Sequence, residues 1–186
     1  MKDIANLLFE ARMLKEIPRS GYHFLGAGKE SVAEHVYMTT FIAYALAQSD
    51  PDADALKLVS MCLIHDLPEA RIGDLNYVQK KYVEPYEEKA IGDTTRTLPF
   101  GDSITGLLAE FNAGESHEAR LAKDADQISF ILDLKALADT GYSTPGKWLP
   151  IIMSRLKTDA GKKLAKTITE TEWDEWWLKN YVDRPE

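Results

Sequence analysis

The chain has 186 residues, with 30 Asp+Glu against 22 Lys+Arg, a formal net charge of -8, and 45% hydrophobic and 10% aromatic residues. This composition excludes a disordered or fibrous polypeptide and fits one domain, 1–186, with a core large enough to stand alone. The acidic balance disfavours binding to nucleic acid polymers or anionic membranes, but leaves room for a small anionic substrate held by a local basic group.

Helical periodicity dominates the chain, strand-like alternation is nearly absent, and the predicted class is all-α. Ile4, Leu7, Leu8 and Ala11 form a helical stripe over residues 3–14, which Pro18 ends; residues 19–29, carrying Gly21, Gly26 and Gly28, read as a loop. Ser31 and Glu34 form an S-x-x-E capping box that opens a helix running to about Gln48. The next helix begins near Asp52 or Asp54 and is apolar nearly all round, which places it in the core. Pro68 disfavours helical geometry at Leu67, so that helix is predicted to end at about Asp66.

Residues 79–92 read as a charged helix kinked by Pro85, and residues 102–111 as another. A long helix over 118–140 places Leu121, Ala125, Ile128, Ile131, Leu132 and Ala136 on its apolar positions and closes at Gly141. Ser143-Thr144-Pro145-Gly146 reads as a turn, followed by helices at 149–156 and 174–181. The C-terminal helices, 147–182, are expected to dock on a motif-bearing core of about 19–139.

Cys62 is the single cysteine in the sequence, which points to a reducing compartment without disulfides or thiolate metal clusters. Asp3 and Glu10 interrupt the N-terminal apolar residues, unlike a signal peptide, and the longest apolar stretches, near 41–47 and 59–64, are far short of the ~20 residues a bilayer requires. A cytoplasmic location is the expectation.

His65-Asp66 stands at the C-terminal end of the most apolar helix. Helix C-termini carry partial negative charge and welcome a cation, so an imidazole with an adjacent carboxylate there reads as half of a metal site. His35 lies in line with Thr39, Ile42 and Leu46 and therefore points inward. In Lys123-Asp124-Ala125-Asp126 the two aspartates are about 200° apart around a helix, so one of them can face a given site. Small neighbours around Asp126 favour it slightly, and spacing leaves the choice open.

Glu30-Ser31-Val32-Ala33-Glu34-His35, His65-Asp66-Leu67-Pro68-Glu69-Ala70, Gly73-Asp74 and Lys123-x-x-Asp126, in that order, resemble the HD-domain metal-dependent phosphohydrolases, and within them the 5'-deoxynucleotidase branch. The resemblance implies an HD-type helical bundle with a buried site for one divalent metal ion, Mn, Co, Ni, Fe, Zn or Mg. It implies His35, His65, Asp66 and Asp126 as metal ligands, with Asp124 as a fallback. Glu69 matches the catalytic carboxylate, Arg19 an arginine holding the substrate phosphate, and Asp74 an acid near the sugar. Where some relatives carry tryptophan after the arginine, this chain has Ser20, with Tyr22 close behind.

The implied reaction is hydrolysis of a (deoxy)nucleoside 5'-monophosphate to nucleoside and phosphate. Two imidazoles and two carboxylates suit a divalent transition metal and leave coordination positions for water and a phosphoryl oxygen. Glu69, three residues beyond Asp66, can orient that water or accept its proton, and Arg19 can offer forked donors to the phosphate. The alternatives are a nucleotide pyrophosphatase or triphosphohydrolase, which a lone Arg19 argues against, and a non-catalytic metal-containing module that binds a nucleotide or partner.

The remaining chemistry-bearing residues carry plainer readings. Cys62 is expected to pack, His23 and His117 to lie at the surface without partners, and Lys162, Lys163, Lys166, Glu84, Glu87 and Glu88 to be solvated. Trp173, Trp176, Trp177 and Tyr181 recur at helical spacing, which fits docking of the last helix or a homodimer contact.

Overall fold

Ten α-helices account for most of residues 1–182, the part of the chain that the computed structural model describes. They are α1 (Lys2–Arg12), α2 (Val32–Ser49), α3 (Ala55–Ile64), α4 (Glu69–Ile72), α5 (Glu87–Thr95), α6 (Gly101–Ala113), α7 (His117–Asp139), α8 (Pro145–Met153), α9 (Asp159–Glu170) and α10 (Glu175–Val182). No β-strand occurs among the described residues; one isolated bridge pairs Pro18 with Ser31. No helix among them is long and apolar enough to cross a membrane.

The centre of the fold is a three-helix packing of α2, α3 and α7. Ser31 caps α2 as its sequence predicts, its side chain accepting from the Glu34 N–H while the Glu34 carboxylate accepts from the Ser31 N–H. The buried stripe of α2 runs through His35, Thr39, Ile42 and Leu46. Asp54 caps α3 by accepting from the Lys57 N–H, and Ser116 caps α7 by accepting from the Ala119 N–H. Leu58 and Met61 of α3 meet Leu121, Ile128, Ile131 and Leu134 of α7 in one core cluster, all fully buried. Burying each such side chain stabilises the fold by about 1.5–3 kcal/mol before entropy is counted. A smaller cluster of Leu67, Ile91, Leu98, Ile104 and Leu108 joins α5 and α6 to Ile4, Leu7 and Ala11 of α1.

Several sequence expectations are corrected here. The helix over 79–92 does not form: a 3-10 turn at Gln79–Lys81 is followed by irregular chain through Pro85, and α5 starts at Glu87. Proline supplies no N–H and disfavours helix at the residue before it, so the segment is interrupted rather than kinked. Residues 20–24 of the expected loop form a 3-10 helix, Ser20–Phe24. The turn at 143–146 runs directly into α8, with Pro145 in its first turn, where a missing N–H costs nothing. α3 is not buried all round, since Leu56 and Leu63 are exposed on the face that α2, α6 and α7 leave open. α9 had no counterpart in the sequence reading. His117 has a partner after all: its Nε2 lies 2.9 Å from Asp50 Oδ2. The aromatic side chains of α10 are exposed rather than packed inward, Trp176 at 76% and Tyr181 at 71%.

Candidate metal centre and its cavity

The capping box places His35 in the first turn of α2, facing α3 and α7, with no exposed surface. Its Nε2 lies 3.0 Å from Asp126 Oδ1 of α7 and 3.6 Å from Asp66 Oδ2. His65 is the C-cap residue of α3. Its Nδ1 is 2.7 Å from the Cys62 carbonyl, which can only accept, so Nδ1 carries the proton and Nε2 is left to face the site. That Nε2 is 3.2 Å from Asp66 Oδ2 without a hydrogen-bonding alignment, and both atoms are buried and unpartnered.

His35, His65 and Asp126 can each present one donor atom so that all three lie within 4.8 Å of one another. Asp66 stands outside that trio, yet its Oδ2 reaches both imidazoles and the guanidinium of Arg19, 3.6 Å from Nη1. Two imidazoles and two carboxylates, with His65 Nε2 and Asp66 Oδ2 buried and unpartnered among them, fit a divalent cation. The two aspartates make this site favour positive charge, carried by a proton on His65 or by a cation in its place. Burial opposes charge on His65, but Asp66 and Asp126 outweigh it and raise the imidazole to about 9. Burial also works against the Asp126 carboxylate, and the His35 hydrogen bond still holds it well below the usual range.

A cavity of about 880 Å³ opens over this cluster, a size suited to a small organic ligand. Arg19, His65, Asp66, Glu69, Asp74 and Asp126 all line it. Arg19 is held by acids on several sides: Asp66, Asp74 at 3.7 Å and Glu30 at 3.9 Å. Asp74 Oδ2 also accepts from the Ser20 N–H at 2.8 Å, which fixes the segment carrying Arg19. Glu69, at the first position of α4, keeps a buried Oε2 without a partner. Burial, with Asp66 and Asp74 nearby, pushes its carboxyl up to about 9.

Asp124 is elsewhere. It is 1% exposed and accepts from the Lys157 N–H (2.7 Å), the Thr158 N–H (2.8 Å) and the Thr158 hydroxyl (2.6 Å), holding the start of α9. Its oxygens are thus committed away from the histidines.

The sequence reading missed several cavity features. Gln127 Nε2 donates to Asp126 Oδ2 at 2.8 Å. Phe130 stacks edge-on between Tyr22 and Trp148, each 5.9 Å away, and forms the apolar wall with Phe111 and Ile152. Lys80 and Arg155 also face the cavity, so Arg19 is not its sole cation. Glu30, quoted in the sequence motif without a role, sits beside both Arg19 and His35, and burial with Asp133 nearby raises it to about 8. Glu87 and Glu88 are exposed at the cavity rim.

The HD-domain family model matches residues 11–169. The chain therefore belongs to the HD-domain family, whose helical fold and histidine–aspartate cluster it carries. It is similar to a mouse protein named 5'-deoxynucleotidase HDDC2, 28% identical over 84% of this chain and 88% of that one. A Dictyostelium discoideum protein of the same name is 30% identical over 64% of this chain and 69% of its own length. Among solved structures, a conserved hypothetical protein from Pyrococcus furiosus superimposes with a TM-score of 0.75 at 28% identity, covering 90% of this chain and 99% of that one.

Proposed function

We propose that the protein is a metal-dependent phosphomonoesterase that hydrolyses deoxyribonucleoside 5'-monophosphates to nucleoside and phosphate. The observation that carries this reading is one cavity whose lining brings together Arg19, the unpartnered buried carboxyl of Glu69, and His65, Asp66 and Asp126 of the histidine–aspartate cluster. The names of the mouse and Dictyostelium relatives support the choice of substrate.

His35, His65, Asp66 and Asp126 would hold the ion. A divalent cation there supplies Lewis acidity toward water and toward a phosphoryl oxygen. Arg19 binds the phosphate, exchanging its loose contacts with Asp66 and Asp74 for shorter charge-assisted bonds to the dianion. Glu69 takes the proton from the attacking water and can return it to the departing 5'-oxygen. At about 9 the carboxyl holds a proton at neutral pH when no cation is present, and a nearby divalent charge would lower that value and favour the ionised form that accepts the proton. Asp74 positions Arg19 through Ser20 and lies where a sugar hydroxyl can donate to it. The aromatic wall of Phe111, Phe130 and Trp148 suits the flat face of a base.

The wider setting follows from charge and surface. A net charge of -8 weighs against a nucleic acid polymer as partner, and a lone buried cysteine fits the cytoplasm. The exposed aromatics of α10 fit a contact between two copies of the chain. The HD fold is taken to span the chain as one domain.

The deciding experiment is a phosphate-release screen on chelator-treated protein. It covers nucleoside mono-, di- and triphosphates, each with Mn²⁺, Co²⁺, Ni²⁺, Zn²⁺ and Mg²⁺. The expected result is release from deoxynucleoside monophosphates, lost in Glu69→Ala while that variant still binds metal. Turnover confined to triphosphates, or none with any metal, would overturn the proposal.

A further inference from the structure

We propose that Glu30 is a positioning residue that ties the cavity arginine to the buried histidine behind it, through a single carboxylate oxygen. The main chain of residue 30 is already committed to the arginine segment. The Arg19 N–H donates to the Glu30 carbonyl at 2.8 Å, and the Val32 N–H donates to the Ile17 carbonyl at 2.9 Å. These bonds frame the Pro18–Ser31 bridge, so Arg19 lies beside Glu30 whatever their side chains do.

The side chain adds a second link. Glu30 Oε2 lies 3.9 Å from Arg19 Nε and 3.9 Å from His35 Nδ1, in a side chain only 10% exposed. Two of the cluster's donors have outer partners: His65 Nδ1 on the Cys62 carbonyl, and Asp126 Oδ2 on the Gln127 amide. His35 Nδ1 is buried and has none. An imidazole that binds a cation through Nε2 carries its proton on Nδ1, and that N–H needs an acceptor, most often a carboxylate or carbonyl. A buried N–H left unpaired is destabilising. A rotation of the Glu30 carboxyl that brings Oε2 about 1 Å closer would supply that acceptor. From the Nε side, the same carboxylate orients Arg19 so that Nη1 points at Asp66 and Asp74. Cation occupancy and anion binding are then coupled, since both depend on one side chain.

The anion half of this inference rests on the phosphomonoesterase reading, whereas the cation half rests on the donor geometry alone. The test uses full-length Glu30→Gln and Glu30→Asp, treated with chelator, checked for folding by circular dichroism, and titrated calorimetrically with Mn²⁺. Glu30→Gln is expected to weaken Mn²⁺ binding about tenfold or more, and Glu30→Asp about threefold. KM for the hydrolysed nucleotide is expected to rise more than kcat falls. A merely structural Glu30 would lower the unfolding temperature and leave the Mn²⁺ Kd alone. A Kd within about twofold of the wild type in a folded Glu30→Gln overturns the proposal; if that variant does not fold, an unchanged Kd in Glu30→Asp does so. Should the wild type hydrolyse no nucleotide, the proposed activity fails while the Mn²⁺ titration still decides the role of Glu30.

Discussion

Asp124→Ala is expected to loosen the α9 end of the protein while leaving cation affinity intact. Asp124 gathers two backbone N–H groups and one hydroxyl at the start of α9, and Thr158 in turn caps that helix by accepting from the Gly161 N–H. The approach is close enough that a Cβ on Gly161 would collide with the Asp124 carboxylate. A hydrogen bond to a charged group contributes about 1.5–3 kcal/mol, and a buried donor left unpaired costs a similar amount. Water entering the vacated space offsets part of this, so the loss is put at about 3–5 kcal/mol, a large share of the ~5–15 kcal/mol typical of a folded domain. At about 2–4 °C per kcal/mol for a chain of this size, the unfolding temperature falls by roughly 6–20 °C. Calorimetry of chelator-treated protein reads that fall, and a Mn²⁺ titration of the folded variant reads the Kd. An unfolding temperature within about 2 °C of the wild type would refute the capping argument. A Kd weakened by about tenfold would instead make Asp124 a ligand.

Two further perturbations act away from the cavity floor. Glu10 accepts from Arg71 Nε (2.5 Å) and Nη2 (2.9 Å) and from the Thr94 hydroxyl (2.6 Å), and the Arg71 bonds hold its carboxyl below the ordinary 4.5. A depressed folded-state value contributes stability that is present above the unfolded value and lost as pH falls through the folded one. Thermal scans should therefore show the wild type above Glu10→Gln near neutral pH, with the two curves converging below about pH 4.5; curves that stay parallel would remove the argument. Gly28 sits at φ +77 with the Tyr22 ring 3.0 Å from where a Cβ would stand, and Tyr22 hydrogen-bonds Asp133. Gly28→Ala should cost about 1–2 kcal/mol, read as a lower urea midpoint with unchanged slope. An unmoved midpoint would mean that this loop adapts freely.

Much of the site was legible because its signals are local. The capping box fixes where α2 begins, and that start fixes the direction of His35. Pro68 stops α3 within a few residues of His65, which leaves His65-Asp66 at a helix end. The charged stretch before α5 suggests a helix by its mix of lysines and glutamates, but its apolar residues Tyr82, Val83 and Tyr86 stay exposed and hold no helix against Pro85. α9 did carry a signal, with Ala160, Leu164, Ala165 and Ile168 on one face and lysines on the other. The place of α9 matters most for choosing between Asp124 and Asp126 as a candidate ligand. Periodicity along α7 says that Asp124 and Asp126 look in different directions, and both directions are inward. One meets the histidines of α2 and α3, and the other meets a helix N-terminus 34 residues further on. Buried carboxylates need partners wherever they point, so the assignment turns on which partner each direction offers, and that partner is supplied by chain remote from both aspartates.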